Sequence, residues 1–161
     1  MPHPVSRYLS LIKFSHSVFA MPFAIIGFML GTRDSGTSIN YLNLLYVVLC
    51  MIFARSAAMA FNRWADADID ALNPRTRDRH IPKGILSPRY VFMFCITNCT
   101  LFVAATYFIN PLAFALSLPT LGVLLGYSYT KRKGYLSHLV LGLALGLAPV
   151  GAAVAVTGTI W

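Results

Sequence analysis

Five long apolar stretches dominate this chain, and each is long enough to cross a lipid bilayer. A transmembrane helix needs about 20 mainly apolar residues, and backbone polar groups inside a bilayer can be satisfied only within the structure itself. The predicted fold class is therefore all-α, a multi-span transmembrane helix bundle, with a tight turn at Asn110-Pro111. We place the spans at 15–31, 41–64, 89–109, 111–130 and 137–160.

The overall composition agrees with an integral membrane protein. Hydrophobic residues make up 57% of the 161 residues and charged residues only 11%, whereas a soluble domain carries about 25% charged residues. Arg7 and Lys13 precede the first apolar stretch, as in a signal peptide, but that stretch continues past Pro22 without a small-residue cleavage site. We therefore predict a retained first helix.

The positive charge predicts a membrane orientation. Thirteen Lys and Arg against five acidic residues give a formal charge of +8, but the basic residues occupy short loops rather than one soluble face. This pattern indicates the positive-inside rule and not nucleic-acid binding. We expect a cytoplasmic N-terminus and cytoplasmic loops at 65–88 and 131–136, in a bacterial inner membrane. The residues that fall on this side are Arg7, Lys13, Arg63, Arg75, Arg77, Arg79, Lys83, Arg89, Lys131, Arg132 and Lys133.

Three of the five acidic residues lie together at the end of the second apolar stretch. Asn62, Asp66 and Asp70 are spaced four residues apart, so on a helix they drift by only about 40° per step and form one oxygen-bearing stripe. Asp68 lies off that stripe. Like charges four residues apart repel one another, and a hard divalent cation is the partner that best suits oxygen ligands beside lipid.

Three interpretations of these aspartates compete. An EF-hand loop fails, because its sixth position is Ala71 rather than Gly and its twelfth is Arg77 rather than Glu. The aspartates could also simply balance the loop arginines at the headgroup level. A magnesium site that holds a substrate phosphate is the third interpretation. We favour it because Asn62 lies in register with the acids and because Arg55 is a rare intramembrane cation.

Three groups of cations accompany the stripe. Arg55 precedes Asn62 by seven residues, so it lies on nearly the same helix face about two turns deeper. We predict a functional role for Arg55 rather than snorkelling to the surface. The loop 73–84 carries arginines at alternate positions, which suits a polyanion. Lys131-Arg132-Lys133 could bind the same anion or only anchor the loop.

Longer motifs give a specific resemblance. The Asn62-x-x-x-Asp66-x-x-x-Asp70 pattern resembles the first aspartate-rich motif of the UbiA superfamily of intramembrane aromatic prenyltransferases. Its flanking segments match as well: Arg55-Ser56-Ala57 before it, then Asn73-Pro74-Arg75-Thr76 and Arg79-x-x-Pro82-x-Gly84. Tyr127-Ser128-Tyr129-Thr130-Lys131-Arg132 is similar to the family's second basic segment. The opening segments most resemble the 4-hydroxybenzoate polyprenyltransferase-like branch: Lys13-Phe14-Ser15-His16-Ser17 and Ala20-Met21-Pro22-Phe23-Ala24.

The resemblance implies an enzyme and assigns roles by position. Asn62, Asp66 and Asp70 would hold Mg2+ on the diphosphate of a polyprenyl diphosphate. Further implied diphosphate ligands are Lys131, Arg132, Arg75 and Arg79, and the implied catalytic residues are Arg55, Lys131 and Arg132. Arg55 would lie where the diphosphate and an aromatic acid meet.

The implied reaction transfers a polyprenyl group to an aromatic acceptor such as 4-hydroxybenzoate, in ubiquinone or menaquinone biosynthesis. A naphthoate-type menaquinone precursor, haem or a glycerol phosphate lipid are alternative acceptors within the family. Outside it, the alternatives are a membrane cation transporter component, which would need deeper acids, and a non-catalytic membrane subunit.

The chain also departs from the family pattern. The family has about nine helices and two facing aspartate-rich motifs, whereas this chain has about five predicted helices, one motif and no acidic residue after Asp78. We therefore expect residues 1–161 to be the N-terminal portion of a single UbiA-like transmembrane domain. That portion is expected to be inactive alone, or to depend on a C-terminal half that covers the fifth helix.

Overall fold

The structure is all-helical over the residues that it describes. The computed structural model describes residues 4–12, 14–130 and 136–160, and within these ranges it contains seven helices and no strand, which confirms the predicted fold class. The helices are α1 Pro4–Leu11, α2 Phe14–Ser35, α3 Tyr41–Ala65, α4 Ala67–Leu72, α5 Pro88–Tyr107, α6 Pro111–Thr130 and α7 Leu136–Thr157. The two short helices, α1 and α4, were not predicted.

Four of the five predicted spans are confirmed as helices that are long and apolar enough to cross a membrane. These are α3, α5, α6 and α7. Most of their ends lie within two residues of the predicted ends, but α7 stops three residues early at Thr157. The remaining predicted span, 15–31, falls within α2. It stays a prediction, because the side chains of the first turns of α2 lie outside the described part of the chain.

Asparagine side chains begin two of the long helices. Asn40 caps α3, where its Oδ1 accepts from the backbone N–H groups of Leu42 at 3.0 Å and Asn43 at 3.2 Å. Asn110 caps α6 in the same way and accepts from Ala113 N at 2.7 Å. These side chains satisfy N–H groups that a helix start leaves free. The predicted Asn110-Pro111 turn is confirmed, since α5 ends at Tyr107 and α6 begins at Pro111.

The five long helices form a closed ring of contacts, and α3, one member of the ring, also contacts the helices across it. Helix α2 packs against α3 and α7, α5 packs against α3 and α6, and α6 packs against α7, while α3 contacts all four of the others. Helices α2 and α7 approach most closely at Gly27 and Gly31. A Cβ added to Gly27 would clash with the carbonyl oxygen of Pro149, and one added to Gly31 would lie 2.9 Å from that of Ala153. Such contact between backbones is how membrane helices pack without a hydrophobic driving force.

A cluster of buried apolar side chains supports the end of α3 that carries the aspartates. It joins α1, α3, α5 and the loop before α5, and its members are Leu11, Ala57, Ala60, Leu86, Val91 and Cys95. Ile81, from the same loop, packs against it. The cluster therefore folds the predicted cationic loop back onto the end of the bundle instead of leaving it extended in solvent.

Candidate metal and diphosphate site

The oxygen-bearing stripe keeps its helical register through the end of α3. Asp66 lies between α3 and α4, with φ −94° and ψ 4°. Its backbone N–H donates to the carbonyl oxygen of Asn62 at 3.1 Å, and the N–H of Asp70 donates to that of Asp66 at 2.8 Å. Hydrogen bonds of the i to i−4 type thus bridge the break between the helices, so the three residues remain aligned as their spacing predicted.

Burial separates the stripe from its neighbours. Asp66 and Asp70 are each only 5% exposed, Asn62 is partly buried, and Asp68 is exposed. Carboxylates are rarely buried without a partner, because their charge is costly to remove from water. The low exposure therefore supports a specific role for the two stripe acids and agrees with the prediction that Asp68 lies off the stripe.

Asp70 is tied to the cationic loop at two points. Both of its carboxylate oxygens accept from Nη1 of Arg79, at 2.6 and 2.7 Å. Its backbone carbonyl accepts from Oγ1 of the buried Thr76 at 3.1 Å. The loop chain therefore turns back beneath its own starting point and holds a guanidinium over the end of the stripe.

Arg63 and His80 belong to the same charged group. Arg63, in the last turn of α3, interacts electrostatically with Asp66, Asp70 and Arg79. Burial, and then the charge of Arg63, lower the pKa of His80 below its usual value, so His80 is neutral at pH 7. The sequence pattern predicts only a role in membrane orientation for Arg63 and predicts no role for His80. The signal for Arg63 was available, because Asp66 and Asp70 follow it by three and seven residues and share its face.

The rest of the loop is held in a defined shape by its own backbone. Asn73 Oδ1 accepts from Arg75 N at 3.0 Å. The carbonyl of His80 accepts from Ile85 N at 2.9 Å and from Leu86 N at 3.1 Å. Gly84 permits this reversal, since it adopts a φ of +71°, a value that favours glycine. Arg75, like its neighbour Arg77, is exposed and presents its charge to the aqueous side.

Arg55 lies deeper on α3 and is half-buried. Its Nε is buried, and no described residue supplies it with a hydrogen-bond partner. Leaving a buried donor unsatisfied costs about 1–3 kcal/mol, more for a charged group. The position agrees with the predicted depth, and the unsatisfied donor can pair with a group outside the described residues.

Lys131 and Arg132 lie outside the described residues, but the helix that leads to them is placed. The ring of Tyr129, in the last turn of α6, meets the ring of Phe61 edge-on at 5.8 Å between centroids. Phe61 is the neighbour of Asn62 on α3. The last turn of α6 therefore packs against α3 one residue before the stripe begins, and the roles of Lys131 and Arg132 stay predictions.

The donor set fits magnesium in part. Within the described ranges, no three His, Cys, Asp or Glu side chains converge as a ready metal cluster. Asn62, Asp66 and Asp70 do carry side-chain oxygens in helical register, and Mg2+ usually takes one or two carboxylates and completes its shell with water and phosphate oxygens. The site therefore suits an ion that arrives with a diphosphate rather than one held by a protein cage.

Comparison with known proteins gives consistent matches. The model of the UbiA prenyltransferase family matches residues 20–161. A protoheme IX farnesyltransferase from Bartonella henselae is 32% identical over 99% of this chain and 51% of its own length, and one from Archaeoglobus fulgidus is 36% identical over 72% and 42%. A 4-hydroxybenzoate octaprenyltransferase from Aliivibrio fischeri is 33% identical over 65% and 37%.

Solved structures of similar fold agree with these matches. The apo structure of a UbiA homologue from Aeropyrum pernix K1 superposes with a TM-score of 0.82 at 34% identity, over 89% of this chain and 51% of that one. A UbiA homologue from Archaeoglobus fulgidus bound to DMAPP and Mg2+ gives 0.77 at 22% identity, over 95% and 55%. The second likeness supports the fold alone. The chain spans 37–51% of the length of the three curated relatives named above.

Proposed function

Because the chain belongs to the UbiA prenyltransferase family, we propose that it forms the diphosphate-binding part of a transmembrane enzyme that transfers a prenyl group from an isoprenyl diphosphate to an acceptor. One observation carries the proposal. Asp66 and Asp70 are nearly fully buried at the end of the membrane-spanning α3, and Arg79 holds the second of them from an arginine-rich loop. A carboxylate pair beside cations at a membrane boundary suits a metal diphosphate better than a lone ion.

The stripe and the loop have separate tasks in this proposal. Asn62, Asp66 and Asp70 bind Mg2+, which, when bound, offsets the negative charge of the diphosphate as it leaves the allylic carbon. Arg75 and Arg79 bind diphosphate oxygens from the loop. Lys131 and Arg132 bind them from the end of α6.

Arg55 serves the acceptor end of the site. It lies about two turns below Asn62 on the same face of α3, on the membrane side of the stripe, where its buried Nε is available to an acidic group. The membrane interior excludes water, which would otherwise capture an allylic cation before the acceptor does. The lipid-soluble prenyl chain reaches the same place from within the bilayer.

Two acceptors are supported by different observations. An aromatic acid such as 4-hydroxybenzoate, in ubiquinone or menaquinone biosynthesis, suits the guanidinium of Arg55. Protoheme is the second candidate, because the relatives from Bartonella henselae and Archaeoglobus fulgidus are protoheme IX farnesyltransferases. Both acceptors carry carboxylates, so Arg55 does not distinguish between them. When both acceptors are supplied together, mass spectrometry of the prenylated product shows which one the enzyme uses.

The metal-diphosphate site is tested by binding rather than turnover. The full chain in lipid nanodiscs should bind farnesyl thiodiphosphate, a slowly reacting analogue, only when Mg2+ is present. Asp66→Ala should weaken binding at least about tenfold, since a lost charged ligand costs more than 1.4 kcal/mol. Asp68→Ala is the matched control: it removes an exposed acid two residues away and should leave affinity unchanged. Equal losses in both variants, or binding without metal, would contradict the proposed site.

A further inference from the structure

Asp70 already has a cation on its carboxylate. Nη1 of Arg79 donates to both oxygens, and the Asp70 side chain is 7% exposed while that of Arg79 is 33% exposed. The guanidinium therefore lies on the more exposed side of the pair and covers the carboxylate. A buried carboxylate needs a counter-charge, and in the ligand-free protein Arg79 supplies it.

Arg79 and a metal ion cannot hold Asp70 in the same way at the same time. Nη1 of Arg79 donates to both Asp70 oxygens, at 2.6 and 2.7 Å, so it occupies the position between them that a metal ion bound by both oxygens would take. A divalent ion at the carboxylate would also repel the guanidinium. Arg63 already faces Arg79 with like charge, so further positive charge at this point favours the departure of Arg79.

The loop allows the side chain of Arg79 to move while its backbone stays in place. Thr76 Oγ1 remains bonded to the carbonyl of Asp70, a contact that does not involve the carboxylate. The backbone of Arg79 is held on both sides, by Thr76 O at 3.0 Å and by the N–H of Lys83 at 3.0 Å. A swing of the guanidinium therefore needs no unfolding of the loop.

We propose that Arg79 is an exchangeable counter-ion, which holds Asp70 while the site is empty and moves to the diphosphate when a metal ion takes its place. This inference rests on the proposed function, because it requires that metal and diphosphate bind here. It assigns Arg79 two alternating partners. In each state the buried carboxylate has one cation, and the guanidinium has one anion.

The exchange makes the two ligands dependent on each other. A metal ion alone must displace Arg79 without offering it a new partner, and a diphosphate alone would draw Arg79 away and leave Asp70 without its hydrogen-bonded counter-charge. When both bind, the metal ion compensates the charge of Asp70 and the diphosphate pairs with Arg79. Metal and diphosphate should therefore bind cooperatively, and the cooperativity should depend on Arg79.

The test measures binding of Mn2+, a paramagnetic substitute for Mg2+, to the full chain in nanodiscs by electron paramagnetic resonance, with and without inorganic diphosphate. In the unaltered chain, diphosphate should tighten Mn2+ binding at least about tenfold. Arg79→Gln should bind Mn2+ alone more tightly, because its competitor is gone, and should lose most of the gain from diphosphate. Lys83→Gln is the control, since Lys83 lies on the same loop but pairs at 3.4 Å with the exposed Asp78, and it should change neither affinity.

Each outcome decides a different point. If Arg79→Gln weakens Mn2+ binding, or if it behaves like Lys83→Gln, the pair is a fixed anchor of the loop and the exchange is wrong. If the unaltered chain binds Mn2+ in neither condition, the metal site of the proposed function fails as well.

A measurement on the unaltered chain covers the case in which Arg79→Gln does not fold. Labelling of the Arg79 guanidinium by phenylglyoxal, relative to that of the exposed Arg77, should rise with Mn2+ alone and fall again when diphosphate is added. A constant ratio overturns the proposal.

Discussion

Arg55 and Arg79 show two different ways of holding a guanidinium near a membrane. Arg79 has a buried carboxylate as its partner, at 2.6 Å. Arg55 has a buried Nε without a hydrogen-bond partner among the described residues. Arginine keeps its charge at physiological pH, so Arg55 must obtain compensation from a group outside the described part of the chain. Arg79 therefore stabilises the folded protein, whereas Arg55 lowers its stability and remains available to bind a ligand.

This contrast predicts opposite effects when each charge is removed. Arg55→Met should unfold at the same temperature as the unaltered chain or above it, because it deletes an unsatisfied donor, yet it should weaken binding of the acceptor. Arg79→Met should lower the free energy of unfolding by about 1–2 kcal/mol, since it removes the hydrogen-bonded counter-charge of Asp70, and partial exposure of Arg79 keeps the loss moderate. Thermal unfolding followed by tryptophan fluorescence measures both. An equal loss in Arg55→Met would mean that Arg55 has a structural partner.

At the scale of elements, helix contact in this protein depends on which glycines are covered. Gly27 and Gly31 of α2 lie directly on the backbone of α7. Gly122 and Gly126 of α6, and Gly142 and Gly146 of α7, have the same four-residue spacing, but an added Cβ at any of them meets nothing within 4 Å. The spacing alone therefore does not identify a packed interface.

Alanine substitutions at a covered and an open glycine should separate the two cases. Alanine is favoured over glycine inside a helix by about 0.5–1 kcal/mol, so Gly146→Ala should be neutral or stabilising. Gly27→Ala should lower the free energy of unfolding by about 1–3 kcal/mol despite the same gain, because its new methyl meets the backbone of Pro149 and forces α2 and α7 apart. The unfolding midpoints of the two variants and of the unaltered chain are measured in matched nanodiscs. A Gly27→Ala variant as stable as the unaltered chain would show that the close α2–α7 contact is absent.

At the scale of the whole molecule, the helix ring gathers the site at one end. The aspartate stripe, the folded 73–87 loop and the last turn of α6 meet there, while Asn40 and Asn110 lie at the other end of the spanning helices. Asn110 Nδ2 donates at 3.0 Å to the carbonyl of Val154 near the end of α7, and Asn43 Nδ2 donates at 3.3 Å to that of Ala155. One end of the bundle is thus specialised for charge and the other for joining helices.

The charge distribution makes the orientation testable. We expect the end with the stripe to face the cytoplasm, because basic loops are retained on that side. In intact bacterial cells, a membrane-impermeant maleimide should label Thr37→Cys, in the α2–α3 loop, and should label Asp78→Cys only after permeabilisation. The unaltered chain gives the background from Cys50, Cys95 and Cys99, which all lie in spanning helices. The reverse labelling pattern would place the site outside the cytoplasm.

Part of the candidate site was predictable because it is local. The register of Asn62, Asp66 and Asp70 follows from helix geometry over nine residues, and the structure retains it across the break at Asp66. The pairing of Asp70 with Arg79 was not predictable. The two residues are joined by a non-helical loop, so the alternating arginines looked equivalent in the sequence although only one of them reaches the stripe.

The membrane environment, the spanning helices and the aligned oxygen donors could be predicted from the sequence, because hydropathy and helical periodicity act over neighbouring residues. Which glycines are covered, how the loop folds back and which cation holds Asp70 depend on how the helices and the loop pack in three dimensions. The physical reason is that lipid is as apolar as a packed leucine, so hydropathy does not distinguish a buried helix face from a lipid-facing one. The distances between side chains on different elements are set by the packing of the helices and do not follow from their spacing in the sequence.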